Sequence, residues 1–173
     1  MKIRKLLEKD VDLIFEWMSD SEINRNFRFD PDKVSKASIL EFIYNSQNDS
    51  KNLHYGIVND NDEYLGTVSL KNINTTDSNA EYAISLRKRA IGNGTAQFAT
   101  REILKVAFEE LNLGKVYLSV LSENIRAIRF YKKVGFRFEG EFKNHIYLRN
   151  EYKSLSWYAI FNGGKMNEKL SNS

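Results

Sequence analysis

The 173-residue chain has no cysteine, which excludes disulfides, a thiol nucleophile and thiolate metal ligands. It has only two histidines, His54 and His145, so a histidine-based metal site would need carboxylates to complete it, and no metal is expected. Long apolar runs are missing. Residues 1–7 meet charge at once, giving neither the apolar core of a secretory leader nor a span of about 20 apolar residues; a cytoplasmic protein is expected, with no membrane partner. Charge of one sign is scarce too. The net charge is +3 and the basic residues are spread, so nucleic acid is not an expected partner. Two nucleotide-binding signatures are absent: a G-x-G-x-x-G would need glycine where Gln97 stands, and no G-K-[ST] occurs.

What is present suits a compact enzyme. Hydrophobic residues make up 42% of the chain and aromatics 13%, enough for one domain with its own core, placed at residues 1–162 with a flexible tail over 163–173. Residues 2–7 read as a strand. Asp10 is placed as the cap of a helix bearing Val11, Ile14, Phe15 and Met18, and a second helix over 35–47 turns Ile39, Phe42 and Ile43 inward. A hairpin follows, 53–58 and 64–70, around Asn59-Asp60-Asn61-Asp62. The strand 80–86 leads to a long helix from Thr95 to about Leu111, stopped by Gly114; the strand 116–121 leads to a helix over 125–134. A final hairpin, 136–148 and 152–161, turns at Arg149-Asn150-Glu151.

Two constellations carry chemistry. In the first, Arg89-Ala90-Ile91-Gly92-Asn93-Gly94 lies between a strand and a helix. Its glycines let the backbone turn freely, and the helix points unpaired first-turn N–H groups and its positive dipole end into the turn, a cradle for a pyrophosphate. A plain connection would read the same way. Arg87-Lys88-Arg89 beside it would complement phosphate, or form a solvated basic turn. The second runs from Glu123 to Phe136: Asn124 caps a helix, Ala127, Ile128, Tyr131 and Val134 share a face, and Gly135 ends it. Taken alone, Tyr131 is also what a buried aromatic on an amphipathic helix looks like.

Arg-x-x-Gly-x-Gly followed by N-x-x-A-x-x-x-Y-x-x-x-G-F resembles, in order and spacing, the coenzyme A loop and last motif of the GNAT superfamily of N-acetyltransferases. The element order β-α-α-β-β-β-α-β-α-β-β is similar to that fold from end to end. The resemblance implies an α/β (α+β) fold: a mixed, mostly antiparallel seven-stranded sheet flanked by four helices, with splayed central strands. It implies acetyl-CoA as cofactor. Ile84, Ser85 and Leu86 would border the pantetheine arm, and Arg89, Ala90, Ile91, Gly92, Asn93, Gly94 and Thr95 would hold the pyrophosphate. Asn124 and Ala127 would meet the pantetheine region, with Tyr131 near the sulfur as general acid. Glu81 looks like the glutamate that serves part of the family as general base; an exposed strand charge is the other reading. An alkylamine, with a pKa of about 10, is mostly protonated at neutral pH and needs such help. Direct attack in a ternary complex needs no cysteine.

The acceptor is less legible. Gly140-Glu141-Phe142-Lys143, Arg149-Asn150-Glu151-Tyr152 and Leu65-Gly66-Thr67-Val68 resemble the branch holding ribosomal-protein alanine, spermidine and nucleotide amino-sugar acetyltransferases. The family resemblance places the acceptor pocket at the segment joining the first two helices, here Asn24 to Phe29, with Arg25, Asn26, Phe27 and Arg28 as the expected binding residues. Cations and aromatics there suit a nucleotide-linked 4-amino sugar, whereas a polyamine would prefer acidic lining; the same loop could instead pack its phenylalanines on the core. A protein N-terminus or another small molecule, a polyamine or an antibiotic, is the rival acceptor, and a noncatalytic acyl-CoA-binding module the rival class. Phe136, Phe138 and Phe142 could serve a homodimer contact.

Overall fold

The computed structural model describes residues 1–163. Its strands are β1 (Lys2–Lys5), β2 (Leu53–Val58), β3 (Tyr64–Asn74), β4 (Asn79–Leu86), β5 (Lys115–Leu121), β6 (Arg137–Leu148) and β7 (Glu151–Phe161). Its α-helices are α1 (Val11–Ser19), α2 (Ser21–Asn24), α3 (Lys36–Ser46), α4 (Thr95–Lys105) and α5 (Ile125–Lys133). The strands form one seven-stranded sheet in the order β1-β2-β3-β4-β5-β7-β6. β1–β2, β2–β3, β5–β7 and β6–β7 are antiparallel, and β4–β5 is parallel, as the mixed sheet requires. The parallel pairing joins Asn79, Ala80 and Glu81 to Lys115, Val116 and Tyr117, while β4 runs on to Leu86 and β5 to Leu121.

Contacts divide the chain into two compact units, Met1–Asn72 with Ala83–Ile103, and Ile73–Tyr82 with the chain from Leu104 on. The first is built around Leu6, Ile14, Trp17, Ile39, Ile43 and Tyr64. Trp17 Nε1–H donates to the Tyr64 hydroxyl (3.2 Å), which lies 2.7 Å from Thr67 Oγ1, so the two large polar rings of this core satisfy one another. The second unit buries Tyr82, Val116, Leu118, Phe136, Tyr158 and Ala159, with a smaller cluster of Leu121, Ile146 and Leu155.

Several elements differ from expectation, each for a local reason. Among the described residues there are five α-helices where four were expected, because the Asp20 carboxylate accepts from the Glu22 and Ile23 N–H groups and starts a short turn, α2, in the connecting segment. Asp10 does not cap α1. Its carboxylate takes both Arg4 guanidinium nitrogens (2.7 and 2.9 Å) and the Leu7 N–H, which holds β1 to the helix entrance. Phe42 turns outward, its ring lying against His54. α4 passes into a π-helical turn, Val106–Glu110, and the left-handed residue that ends it is Asn112 (φ 49°), not Gly114. Arg149 and Asn150 both have positive φ, the two-residue turn that matches strand twist. Of the three phenylalanines placed at a homodimer contact, Phe136 is 2% exposed and belongs to the core, whereas Phe138 and Phe142 are 56% and 51% exposed.

Candidate functional site

β4 ends at Leu86, a 3-10 turn covers Lys88–Ala90, and α4 starts at Thr95. Gly92 and Gly94 between them have φ of +89° and +88°, which glycine adopts without steric cost. The hydrogen bonds narrow the cradle that the motif suggested. Ala90 and Ile91 N–H donate to the Arg87 and Lys88 carbonyls, so these two donors are consumed by the turn. Thr95 N–H donates to Asn93 Oδ1 (3.2 Å), which also accepts from the Thr95 hydroxyl (2.6 Å), and the first bond that belongs to the helix is Phe98 N–H to the Gly94 carbonyl. The N–H groups of Gly92, Asn93, Gly94, Ala96 and Gln97 have no hydrogen-bond acceptor among the described residues. Five donors at one helix entrance, with the positive end of the helix dipole behind them, form an anion cradle. A pyrophosphate fits it.

The basic triplet beside this loop is committed elsewhere. Arg87 is buried: its guanidinium meets both Glu16 carboxylate oxygens (3.0 and 2.7 Å), Glu63 (3.2 Å) and the Tyr64 carbonyl (3.2 Å). Lys88 reaches Glu22 (2.6 Å), and Arg89 is ion-paired with Glu63. These cations anchor the loop to α1, α2 and β3, so the unpaired polar groups that the loop presents are main-chain N–H groups. Ile84, Ser85 and Leu86 lie half-buried at the end of β4. Beside them Gly66 has no room for a side chain: a Cβ there would collide with the Ser85 carbonyl and the Leu86 side chain.

The second motif folds as its letters suggest. Asn124 caps α5, its Oδ1 accepting from Ala127 N–H (3.2 Å), and Gly135 (φ +103°) ends it. Since Oδ1 is occupied, Nδ2 is the part of Asn124 with no partner among the described residues. Tyr131 is half-buried in an aromatic nest of Tyr82 (centroids 6.1 Å, 86°), Phe136 (5.9 Å) and Phe130 (5.5 Å). Edge-to-face packing of this kind fixes a ring's position. Its hydroxyl has no hydrogen-bond partner among the described residues. Burial pushes its pKa up to about 12, so the phenol keeps its proton at neutral pH.

Glu81 precedes Tyr82 on β4, and successive strand residues point to opposite faces; Tyr82 faces Tyr131, so Glu81 occupies the other face. It is level with Tyr117, whose phenol is raised by burial and by the negative charge of Glu81. The candidate base and the candidate acid therefore stand on opposite faces of one strand. Of the expected acceptor residues, Arg25, Asn26 and Arg28 are exposed. Phe27 is half-buried between Trp17 (5.6 Å) and Phe29 (5.8 Å), so the ring expected to stack on a base or sugar is spent on the core. Sequence reasoning missed the Glu16–Arg87–Glu63 hub and the free N–H groups of Ala96 and Gln97. The former joins residues distant in sequence and has no local signal; the latter follow from the rule that a helix leaves its first donors unpaired.

A profile of the acetyltransferase (GNAT) domain matches residues 1–137. The chain is 27% identical over 161 residues to a spermidine N(1)-acetyltransferase of Escherichia coli (strain K12), covering 93% of this chain and 86% of that protein. It is 28% identical over 159 residues to an uncharacterized N-acetyltransferase of Bacillus subtilis (strain 168), covering 91% of each. Among solved structures, a spermidine N-acetyltransferase from Vibrio cholerae in complex with CoA and spermine superposes with a TM-score of 0.87 at 24% identity, over 96% of this chain and 98% of that one, a likeness of fold. The chain belongs to the acetyltransferase (GNAT) domain family and is an acetyl-CoA-dependent N-acetyltransferase.

Proposed function

We propose that the chain acetylates a primary amine of a small polyamine, by direct attack in a ternary complex, within one domain over residues 1–162. Bound acetyl-CoA supplies an activated acetyl thioester. The observation that carries the cofactor half of this reading is the set of five unpaired N–H groups from Gly92 to Gln97, which hold the pyrophosphate. Asn124, through its free Nδ2, and Ala127 with Ile84, Ser85 and Leu86 border the pantetheine arm. Glu81 takes the proton that the attacking amine must lose. Tyr131 donates to the sulfur as it departs. A phenol near 12 is a weaker acid than a thiol at about 8.5, so its contribution is a held hydrogen bond more than a released proton.

The amino-sugar acceptor is replaced by a polyamine. Phe27 is packed against Trp17 and Phe29, leaving that segment without its stacking ring, and spermidine acetyltransferases are among the relatives matched over most of this chain.

The test is calorimetric titration with acetyl-CoA of the wild-type chain and of Gly92→Val, followed by mass spectrometry of a panel of spermidine, peptides and nucleotide amino sugars. Micromolar binding lost in the variant, with acetylation of spermidine, is the expected result. Binding with transfer to no amine would favour the noncatalytic module; transfer to peptides alone would overturn the polyamine.

A further inference from the structure

The second unit contains an open cleft of about 410 Å³ lined by Asn79, Lys115, Tyr117, Glu139, Phe142 and Trp157. Three rings form its walls in series, Tyr117 to Trp157 at 6.2 Å and Trp157 to Phe142 at 5.4 Å between centroids. The polar group among them is an ion pair, Lys115 Nζ to Glu139 Oε2 at 2.7 Å, and the same ammonium lies 5.3 Å from the centre of the Phe161 ring. A primary ammonium held by a carboxylate and an aromatic face is what this cleft already contains, supplied by the chain itself. That combination favours organic cations over anions or neutral ligands.

The cleft is also placed correctly for the reaction. Asn79 and Glu81 are two residues apart on β4, share a face, and are separated by about 7 Å at the rise of a strand. Glu81 stands level with Tyr117, a wall of the cleft. An amine brought to Glu81 would thus lie beside the ring-walled cleft, on the face of β4 that Asn79 shares.

We propose that this cleft binds the second, non-reacting ammonium of a polyamine acceptor, and that Lys115 is its built-in stand-in, occupying Glu139 until the acceptor displaces it. The proposal rests on the polyamine reading above and names the subsite that would select such an acceptor over a monoamine. It makes the two partners of one ion pair act in opposite senses. Glu139→Gln removes the contact that the ligand needs, whereas Lys115→Met removes the ligand's competitor.

Steady-state kinetics with spermidine and with n-butylamine test it. Glu139→Gln and Trp157→Leu are each expected to raise KM for spermidine about tenfold, the worth of one charged contact. Lys115→Met is expected to lower that KM several-fold. KM for n-butylamine and for acetyl-CoA should stay within twofold of wild type in all three. Glu139→Gln and Lys115→Met moving KM for spermidine in the same direction would overturn the proposal, as would equal effects on the monoamine. Failure of the underlying reading looks different and is read by spermidine titration of intrinsic fluorescence in wild type and in Trp157→Phe. A Trp157-dependent response without acetyl transfer would remove the transferase role and keep the cleft; transfer to other amines with no such response would do the reverse.

Discussion

The two motifs that define this chain solve recognition by opposite means. The loop after β4 offers main-chain N–H groups, and its neighbouring side chains, Arg87, Lys88 and Arg89, are tied to Glu16, Glu22 and Glu63. The helix α5 offers side chains instead, Tyr131 and the Asn124 amide. A backbone site depends on φ and on whatever holds the loop in place; a side-chain site depends on the identity of one atom. Each therefore fails under a different kind of substitution.

The sharpest break is on the side-chain half. Tyr131→Phe removes one oxygen without changing the ring that packs against Tyr82 and Phe136, so kcat should fall by about 10²-fold or more with KM for acetyl-CoA nearly unchanged. A kcat within twofold of wild type would remove its acid role. The sign of its pH dependence follows from the raised pKa: the hydroxyl stays protonated until pH approaches about 12, so ionisation of Tyr131 should put no descending limb on kcat below pH 10.

On the main-chain half, Gly94→Ala sharpens the contrast. Nothing stands within 4 Å of a Cβ there, so the penalty is conformational: a φ of +88° costs an L-residue about 1–3 kcal/mol, read as a fall in acetyl-CoA affinity of roughly tenfold or more with kcat retained. An affinity equal to wild type would show that the loop does not need its left-handed turn. Arg87→Met tests what holds the loop. Glu16 and Glu63 both keep access to water and can rehydrate, so a loss of about 2 kcal/mol is expected in urea unfolding, less than for a fully buried pair. The smallest effect is Asn124→Ala, about 1 kcal/mol from the lost cap of α5. If Asn124 also serves the cofactor, KM for acetyl-CoA will rise in the same variant, and Asn124→Ser will restore stability without restoring KM.

Legibility in the sequence followed the range of the interaction. Glycines with positive φ at 92, 94 and 135, the Asn124 cap and the alternation of β4 and β5 are local consequences of residue type, and motif, helix and strand could be read from adjacent letters. Capping at Asp10 was misread for the same reason: its neighbours suit a cap, while the group that captures it, Arg4, approaches from a strand that a helix rule does not consider. The outward turn of Phe42 and the core position of Phe27 depend on His54, Trp17 and Phe29, partners whose positions only folding determines. The π turn after α4 and its left-handed stop at Asn112 leave no pattern distinct from an ordinary helix end. At the site, the anion cradle was legible as a place but not as a set of donors, because which N–H groups stay free depends on the 3-10 turn at Lys88–Ala90.

Gly66 lets β3 approach the Ser85 carbonyl closely. Every amino-acid replacement of a glycine adds at least a Cβ, and here that atom has nowhere to go without moving the end of β4 that leads into the Gly92-Asn93-Gly94 loop. The spacing between these two stretches of chain is therefore set by a missing atom, and any side chain at position 66 would act as a wedge between them.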